Sequence, residues 1–400
     1  MNEQRTQKNI FSRMAFWFKD RLARVDLFDE TLQPKHPKNP IYYMGSFMYF
    51  CLIAQIVVGC ILALYYIPTT ADAYRSVQFI TQQWKMFGFP IGFWLRGFHR
   101  YSADGLIVLA MLRFLRFYFT ADYKKPNEMS WFNTIIFAIM TTVFGFSGYV
   151  LPMDQRAYWA TAVGTTMPTA ADYLPFIGNL KIGSFIQFIA RGGTVINQNT
   201  ISRFYALHYI LPLFIILLVE AYFYFTRKRR INVPAIATVV FAIILLSLNL
   251  IFPVASEAQA TPDSPPAHIL PDWYFLFVYY FLKIFPKISY PAIGFTLDSF
   301  AVWTFFLIAL MIFLFLMPWI ERNPYKEARK RPLWIALGLL GVALFVVTSY
   351  RSAEISDNAL LQKDTPFILG AYVLVILIFG FWQRKVYINE RKKGELVHKK

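Results

Sequence analysis

Eight long apolar runs divide this chain, and they limit its fold more than any other feature of the sequence. A helix needs about 20 apolar residues to cross a bilayer, and runs of that kind lie near residues 42–67, 98–119, 131–152, 203–226, 233–253, 297–320, 332–350 and 365–383. The chain is 57% hydrophobic and only 16% charged, which is too apolar for a soluble globular domain. The sequence therefore predicts an all-α polytopic membrane protein with about eight transmembrane helices.

Positive charge is concentrated in alternate connections between these runs. The formal net charge of +17 could suggest a nucleic-acid partner, but its distribution indicates a membrane instead. Basic clusters lie before the first run, at 124–125, at 227–230, at 326–331 and in the C-terminal tail. Because cytoplasmic loops carry an excess of Lys and Arg, we expect both termini on the cytoplasmic side of the cell inner membrane. We expect contact with membrane lipid and no nucleic-acid partner.

Two of the five histidines, His99 and His208, lie inside apolar runs, and each closely follows an arginine, Arg96 or Arg203. The two runs are expected to cross in the same direction, which predicts both histidines near the outer face, in the first turns of their helices. An ionisable side chain inside a membrane is costly unless it is paired or bound to something. One haem with two histidine ligands and cations at its propionates would satisfy this. Two core histidines hydrogen-bonded to backbone would satisfy it as well.

Three segments outside the apolar runs have patterns of their own. Residues 1–40 are basic with interspersed aromatic residues, which is typical of an amphipathic segment on a membrane surface. The stretch 153–199 is too long for a plain loop, so we expect short helices in it. The connection 254–272 is rich in proline, alanine and serine, and it leads into Trp273-Tyr274.

Several motifs occur in one order along the chain, and together they carry a family resemblance. They are Gly45-Ser46 followed by Gln55 and Gly59, then LRGFH ending at His99, GYVLP from Gly148, RGGTV from Arg191, TISRFYALHYILP ending at Pro212, and PDWYFLF from Pro271. With these motifs the chain resembles cytochrome b, the quinol-oxidising core subunit of cytochrome bc complexes. The resemblance extends from the first apolar run to about residue 383.

The resemblance implies a cofactor site. It implies that His99 and His208 are the metal ligands of an outer, low-potential b-type haem. It also implies four further cofactor-binding residues: Gly59 and Gly148 facing the haem, Arg96 near its propionates, and Gln55.

The resemblance further implies a quinone pocket on the outer face, between the segment after Pro152 and the PDWY turn. Asp272 and Tyr274 are its catalytic candidates, although the family more often has glutamate where Asp272 stands. A carboxylate there can take up a quinol proton. A purely structural alternative is that Asp272 caps the helix that begins at Trp273.

The sequence departs from the family at the level of a second, inner haem. Its ligands would lie fourteen residues further along the same two helices, and those places hold Arg113 and either Tyr222 or Phe223. Thr134 stands where a glycine would face that haem. We therefore expect one haem rather than two, and no inner quinone site.

Charged side chains fall at this inner level instead. Because an unpaired charge in a membrane is costly, we expect Arg113 or Arg116 to pair with Glu220. The alternative is that Arg113 extends to the cytoplasmic interface while Glu220 is protonated.

By this resemblance the chain is a membrane electron-transfer subunit of a quinol-oxidising cytochrome bc-type oxidoreductase complex. It would oxidise quinol, or reduce quinone, at the outer face and pass an electron to the single haem. Expected partners are a Rieske iron–sulfur protein, a c-type cytochrome or other haem subunit, and a second copy of the chain in a homodimer. The alternative is a membrane scaffold with a remnant quinone pocket.

The resemblance also predicts how the chain divides. The expected parts are a cytoplasmic amphipathic segment at 1–40, a haem-binding four-helix bundle at 41–230, a C-terminal four-helix part with the PDWY loop at 231–388, and a basic cytoplasmic tail at 389–400.

Overall fold

The computed structural model describes residues 10–22, 43–173, 178–226, 235–264, 269–285, 288–290, 295–297, 299–355, 360–361 and 363–397. Within these residues it consists of thirteen α-helices, several short 3-10 or π turns and one small hairpin. The helices are α1 (Ile10–Leu22), α2 (Met44–Ala63), α3 (Ala73–Gln78), α4 (Ile91–Phe119), α5 (Glu128–Val150), α6 (Gln155–Thr166), α7 (Ile182–Arg191), α8 (Gln198–Thr226), α9 (Ala235–Ile251), α10 (Leu276–Ile284), α11 (Ser299–Ile320), α12 (Pro332–Glu354) and α13 (Thr365–Val397).

The predicted helical class is confirmed, with one small exception. Strands β1 (Ile288–Tyr290) and β2 (Phe295–Leu297) pair antiparallel between α10 and α11. Long helices dominate because the apolar runs are hydrophobic on all sides, and such helices are stable when surrounded by other helices or by lipid.

Six of the helices are long and apolar enough to cross a membrane: α2, α5, α8, α11, α12 and α13. The two remaining predicted crossings coincide with α4 and α9. Helix α4 has 29 residues but carries Arg96, Arg100, Asp104, Arg113 and Arg116, and α9 has 17 residues. Helices thus occupy all eight predicted places, while a count of eight crossings stays a prediction.

Helices α4 and α8 begin earlier than the apolar runs suggested. They start at Ile91 and Gln198, so His99 is the ninth residue of α4 and His208 the eleventh residue of α8. The histidines lie about three turns into their helices rather than at the helix mouths. In α8 the first turn was not predicted because the polar residues Gln198, Asn199 and Thr200 occupy it.

The chain forms two compact units. The first is made of the described parts of 1–60, 97–145 and 210–253. Its core is formed by one face each of α2, α4, α5, α8 and α9, with Leu52, Leu106, Phe137, Ile215 and Leu245 among its buried side chains. Helix α9 therefore packs with the helices of the predicted N-terminal bundle.

The second unit is made of the described parts of 61–96, 146–209 and 254–400. In it α12 packs against both α10 and α13. Glu321 and Arg331 form a fully buried two-point ion pair, at 2.6 and 2.8 Å, where α11 leads into α12. Asp364 accepts hydrogen bonds from Tyr280 and Arg351 and so ties the start of α13 to α10 and α12.

The expectation of short helices in the segment 153–199 is confirmed by α6 and α7 and by the turns between them. Asp154 caps α6 by accepting a 2.9 Å hydrogen bond from the Ala157 N–H. Helix α7 ends at Gly192, whose φ of 74° suits a residue without a side chain. Of the predicted amphipathic segment 1–40, the structure describes α1, where Ile10, Phe11 and Met14 are exposed; its remainder and the basic turn 227–230 lie outside the described residues.

Candidate functional site

His99 projects from α4 against α2, at the position of Gly59. A Cβ built on Gly59 would lie 3.2 Å from Cε1 and 3.8 Å from Nδ1 of the His99 ring. Glycine therefore lets the imidazole approach the backbone of α2 closely.

One turn earlier on α2, Gln55 fixes the α4 backbone beside this ring. Its Nε2 donates to the carbonyl oxygen of His99 and, at 2.5 Å, to Ser102 Oγ. The Ser102 hydroxyl in turn donates to the His99 carbonyl at 3.2 Å, and both polar side chains are buried. These contacts give Gln55 a positioning role next to His99, and Ser102 joins the site although the sequence analysis did not single it out.

His208 projects from α8 against α5 in a similar way. A Cβ on Gly148 would lie 2.6 Å from His208 Cε1 and 3.2 Å from Nε2, so no larger residue fits without moving the ring. The neighbouring Ser147, which is fully buried, places its Oγ 2.9 Å from His208 Nδ1. Ser147 was not predicted from the sequence, although this residue directly precedes the GYVLP motif.

These surroundings fit axial ligands of a haem. A metal-ligating histidine normally uses its second ring nitrogen in a hydrogen bond that fixes the ring. Because Nδ1 of His208 lies beside Ser147 Oγ, Nε2 is the nitrogen that would bind a metal. The partner of Nδ1 in this contact is a side-chain hydroxyl.

Arg96, predicted near the propionates, is half-buried at the start of α4. Its Nη1 donates to Thr81 Oγ1 at 2.9 Å and to the Val254 carbonyl at 3.0 Å. The guanidinium is thus fixed by two segments of its own unit, and a role at a propionate stays a prediction.

Asp272 and Tyr274 lie together, as predicted, and both are almost completely buried. The Tyr274 hydroxyl donates to Asp272 Oδ2 over 3.4 Å. Asp272 occupies the N-cap position of the turn Trp273–Phe275, but its side chain makes no capping hydrogen bond within the described structure. The capping alternative therefore does not explain this carboxylate.

Two charged residues beside Asp272 were not anticipated from the sequence. Arg156 Nη1 lies 3.8 Å from Asp272 Oδ1, and Arg156 Nε donates to Glu257 Oε1 at 2.8 Å. Burial alone would lower the pKa of Arg156, but the hydrogen bond and charge of Glu257, together with the charges of Tyr149 and Asp272, raise that pKa overall. The available signal was the position of Arg156 four residues after Pro152, in the segment expected beside the quinone pocket.

An aromatic wall contacts Tyr274, the partner of this carboxylate, because the Phe275 ring centre lies 4.6 Å from that of Tyr274. Phe146 packs edge-on against Phe275 and Phe204, with ring centroids 5.8 and 5.9 Å apart. A Cβ on Gly164 would lie 2.7 Å from Phe146 Cζ, so that glycine allows the ring its place. Buried polar groups beside apolar rings are the surroundings that bind and orient a flat aromatic ligand with hydroxyl groups.

Comparison with known proteins identifies the family. Residues 30–230 match the family model described as cytochrome b/b6/petB, and residues 259–370 match cytochrome b(C-terminal)/b6/petD. The chain belongs to the cytochrome b family. Family membership places it among membrane electron-transport proteins.

Relatives agree with this assignment. Cytochrome b6 of Auxenochlorella protothecoides is 34% identical over 226 residues, which are 56% of this chain and 99% of the relative. A Chlorobaculum thiosulfatiphilum protein named cytochrome bc complex cytochrome b subunit is 28% identical over 367 residues, 84% of this chain and 80% of that protein. A solved structure described as hyperthermophilic respiratory Complex III has the same fold, with a TM-score of 0.68 at 22% identity over 94% of this chain and 97% of that one.

At the level where the cytochrome b resemblance suggests a second haem, this chain places its own side chains. Arg113 is buried, and its Nη2 donates to Asn133 Oδ1 at 2.7 Å. Asn133 Nδ2 donates to the Leu218 carbonyl of α8 at 2.9 Å, and the guanidinium carbon lies 5.3 Å from the centre of the Phe137 ring. Arg113 thereby links α4, α5 and α8.

The predicted pairing of Arg113 or Arg116 with Glu220 is wrong. Glu220 is exposed, and within the described structure it forms an ion pair with neither arginine. A neutral amide, Asn133, accepts from the buried guanidinium instead. The alternative that Arg113 reaches the cytoplasmic interface is wrong as well, because only 3% of the residue is exposed.

Thr134 occupies the predicted glycine position of this level. It is buried, and its hydroxyl donates to the Ser130 carbonyl of its own helix at 2.8 Å. The side chains of Tyr222 and Phe223, the other candidate positions, lie outside the described residues.

Proposed function

We propose that this chain is the electron-transfer subunit of a cytochrome bc-type complex, handling quinol at an outer-face site and holding one b-type haem through His99 and His208. The observation that carries the proposal is the repeated pairing of an imidazole with a glycine of a neighbouring helix, Gly59 with His99 and Gly148 with His208. Such an arrangement on two separate helices is expected of axial ligands whose rings need fixed orientations.

The chain's own residues hold these ligands in place. Gln55 and Ser102 fix the α4 backbone at His99. Ser147 is hydrogen-bonded to Nδ1 of His208, and Nε2 would bind the iron. A haem bound there supplies one-electron redox chemistry. In this proposal Arg96 provides positive charge near the propionates.

At the quinol site, Asp272 accepts a hydroxyl proton and Tyr274 orients the carboxylate. Oxidation of a quinol removes protons as well as electrons, so a buried base beside an apolar wall is what the reaction needs. Tyr274 and Arg156 each lie nearest to a different carboxylate oxygen. The proposed partners are a Rieske iron–sulfur protein, a c-type cytochrome or other haem subunit, and a second copy of the chain. Support for such an assembly comes from the Chlorobaculum relative, which is named as a subunit of a cytochrome bc complex.

The inner level supports the proposal of one haem rather than two. The Arg113–Asn133 hydrogen bond and the Thr134 side chain fill positions that a second haem would need. The proposed orientation, in an inner membrane with both termini cytoplasmic, is supported by the alternating basic connections.

The test is the haem content of the chain purified from membranes, measured by the pyridine haemochrome spectrum against protein concentration. We expect one haem per chain. Two haems would contradict the one-haem proposal, and none would favour the scaffold alternative.

The quinol site is tested separately by reducing the chain's haem with a short-chain quinol and following its absorbance. Replacing Asp272 by Asn should slow this reduction by roughly 10²-fold, the lower range of a general-base contribution. An unchanged rate would remove Asp272 from the proposed reaction while leaving the haem proposal intact.

A further inference from the structure

Arg156 shares its guanidinium between an exposed carboxylate and a buried one. Its Nε and Nη2 donate to Glu257 Oε1, at 2.8 and 2.5 Å, while its Nη1 lies 3.8 Å from Asp272 Oδ1. The side chains of Arg156 and Glu257 are each 37% exposed, whereas that of Asp272 is 4% exposed. The cation therefore extends from solvent to the edge of the buried site.

The position of this guanidinium is fixed from several directions. Arg156 is the second residue of α6, directly behind the cap residue Asp154. The Asp154 carboxylate accepts N–H groups from both Ala157 and Glu257, at 2.9 and 3.3 Å. Tyr74 donates its hydroxyl to the Glu257 carbonyl at 3.0 Å. The first turn of α6 and the backbone of Glu257 are thus held by the same carboxylate.

The connection that carries Glu257 is also attached to α6 along its backbone. Gln155 N–H donates to the Ala258 carbonyl at 2.9 Å, and Ala260 N–H donates to the Met153 carbonyl at 3.3 Å. Because the backbones on both sides are fixed, Arg156 has little freedom to leave Asp272.

A buried carboxylate is expensive unless a cation compensates it. We propose that Arg156 is a positioning residue for quinol oxidation: it holds the Asp272 carboxylate in the place where it can accept a quinol proton, and Glu257 holds Arg156 there. This inference rests on the proposed role of Asp272. For each proton accepted, one quinol O–H bond breaks and one O–H bond forms on Asp272. One electron leaves the quinol at the same time, for the haem or the iron–sulfur partner.

Glu257 also keeps the charge of Arg156 compensated while Asp272 changes its protonation state. Once Asp272 is protonated, Arg156 still has Glu257 as a counter-ion, so its charge is never left uncompensated. Asp272 can therefore gain and lose a proton while the surrounding charges stay in place.

The test measures reduction of the haem by a short-chain quinol in the intact, membrane-purified complex. Arg156→Gln should slow it by roughly tenfold, equivalent to about 1.4 kcal/mol, with a smaller change in the quinol concentration for half-maximal rate. Arg156→Lys should restore most of the rate, because it keeps the charge. Glu257→Gln should lie between wild type and Arg156→Gln. The control is Arg75→Gln, which removes an exposed arginine of the same unit.

The deciding measurement is the Arg156→Gln change in an Asp272→Asn background. If Arg156 acts through Asp272, the double variant should be no slower than Asp272→Asn alone. Independent, additive slowing would overturn the proposal, and so would Arg156→Lys behaving like Arg156→Gln at normal haem content. If Asp272→Asn itself has no effect, the proposed function of the site fails, which is a different result.

Discussion

Two levels along α4 and α5 differ in the side chains that they carry. His99 and Gly148 mark the first level, and Arg113 and Thr134 mark the second. Fourteen residues separate His99 from Arg113 on α4, and the same distance separates Gly148 from Thr134 on α5. At the first level each imidazole lies against a glycine. At the second level the arginine is hydrogen-bonded to Asn133, and the threonine is bonded to its own helix.

The difference lies in the side chains that the helices carry, since α4 and α5 run through both levels. A glycine allows a flat ring to reach a helix backbone, whereas a buried arginine needs hydrogen-bond partners within the protein. The first level is suited to hold a group from outside the chain, and the second is filled by the chain itself.

The largest effect on the first level is expected when one of its imidazoles is removed. His208→Ala or His99→Ala should abolish haem binding, because one axial ligand cannot hold the iron in the same geometry. The measurement is haem content after purification. His36→Ala, in the basic stretch before the first span, is the control. Full haem content in either ligand variant would mean that the imidazole–glycine level is not a haem site.

Replacing Gly59 and Gly148 by alanine should lower the haem content to different extents. A Cβ on Gly148 would lie 2.6 Å from the His208 ring, which cannot be accommodated in place, whereas that on Gly59 would lie 3.2 Å from the His99 ring. Gly148→Ala should therefore lose most of its haem, and Gly59→Ala should lose less. Gly341→Ala is a matched control, because a Cβ there meets nothing within 4 Å. Equal haem loss in Gly59→Ala and Gly148→Ala would show that ring clearance is not the controlling factor.

Much of the first level could be predicted from the sequence. The helices follow from apolar runs, and His99 and His208 were distinctive because ionisable residues are rare in such runs. Gly59 and Gly148 were found through motifs, since a glycine alone does not show which ring it faces. Ser147 and Ser102 were missed, because a serine within an apolar helix gives no sign of its hydrogen-bond partner.

The second level was predicted only in part. The sequence shows directly that Arg113 stands at one expected ligand place and Thr134 at the expected glycine place. The partner of Arg113 could not be predicted, because depth along a helix does not determine the direction in which a side chain points. Opposite charge favoured Glu220 as the partner, but the guanidinium of Arg113 donates to a neutral amide, Asn133. Arg156 was missed for a related reason, because Glu257 lies 101 residues away along the chain.

The inner level can be tested through stability. Asn133→Leu removes the acceptor from a buried guanidinium, and it should lower the free energy of unfolding by about 1.5–3 kcal/mol, as for hydrogen bonds to charged groups. Arg113→Met should cost less, since it removes the buried charge together with its hydrogen bond. The double variant should be more stable than the sum of the two losses predicts. Thermal unfolding in detergent measures this, and additive losses would mean that the two side chains do not depend on each other.

The smallest expected effect is a change in the midpoint potential of the haem when Ser147, beside His208, is replaced. Ser147→Ala removes the hydrogen bond at His208 Nδ1, and such bonds contribute about 0.5–1.5 kcal/mol. With the Nδ1–H no longer bonded, the imidazole is a weaker electron donor, so the oxidised haem is stabilised less. The midpoint potential should rise by roughly 20–60 mV at unchanged haem content, the one-electron equivalent of that energy. Thr141→Val is the control, because its hydroxyl is bonded only to carbonyls of its own helix. A redox titration of the two variants would contradict the role of Ser147 if both potentials matched that of the wild type.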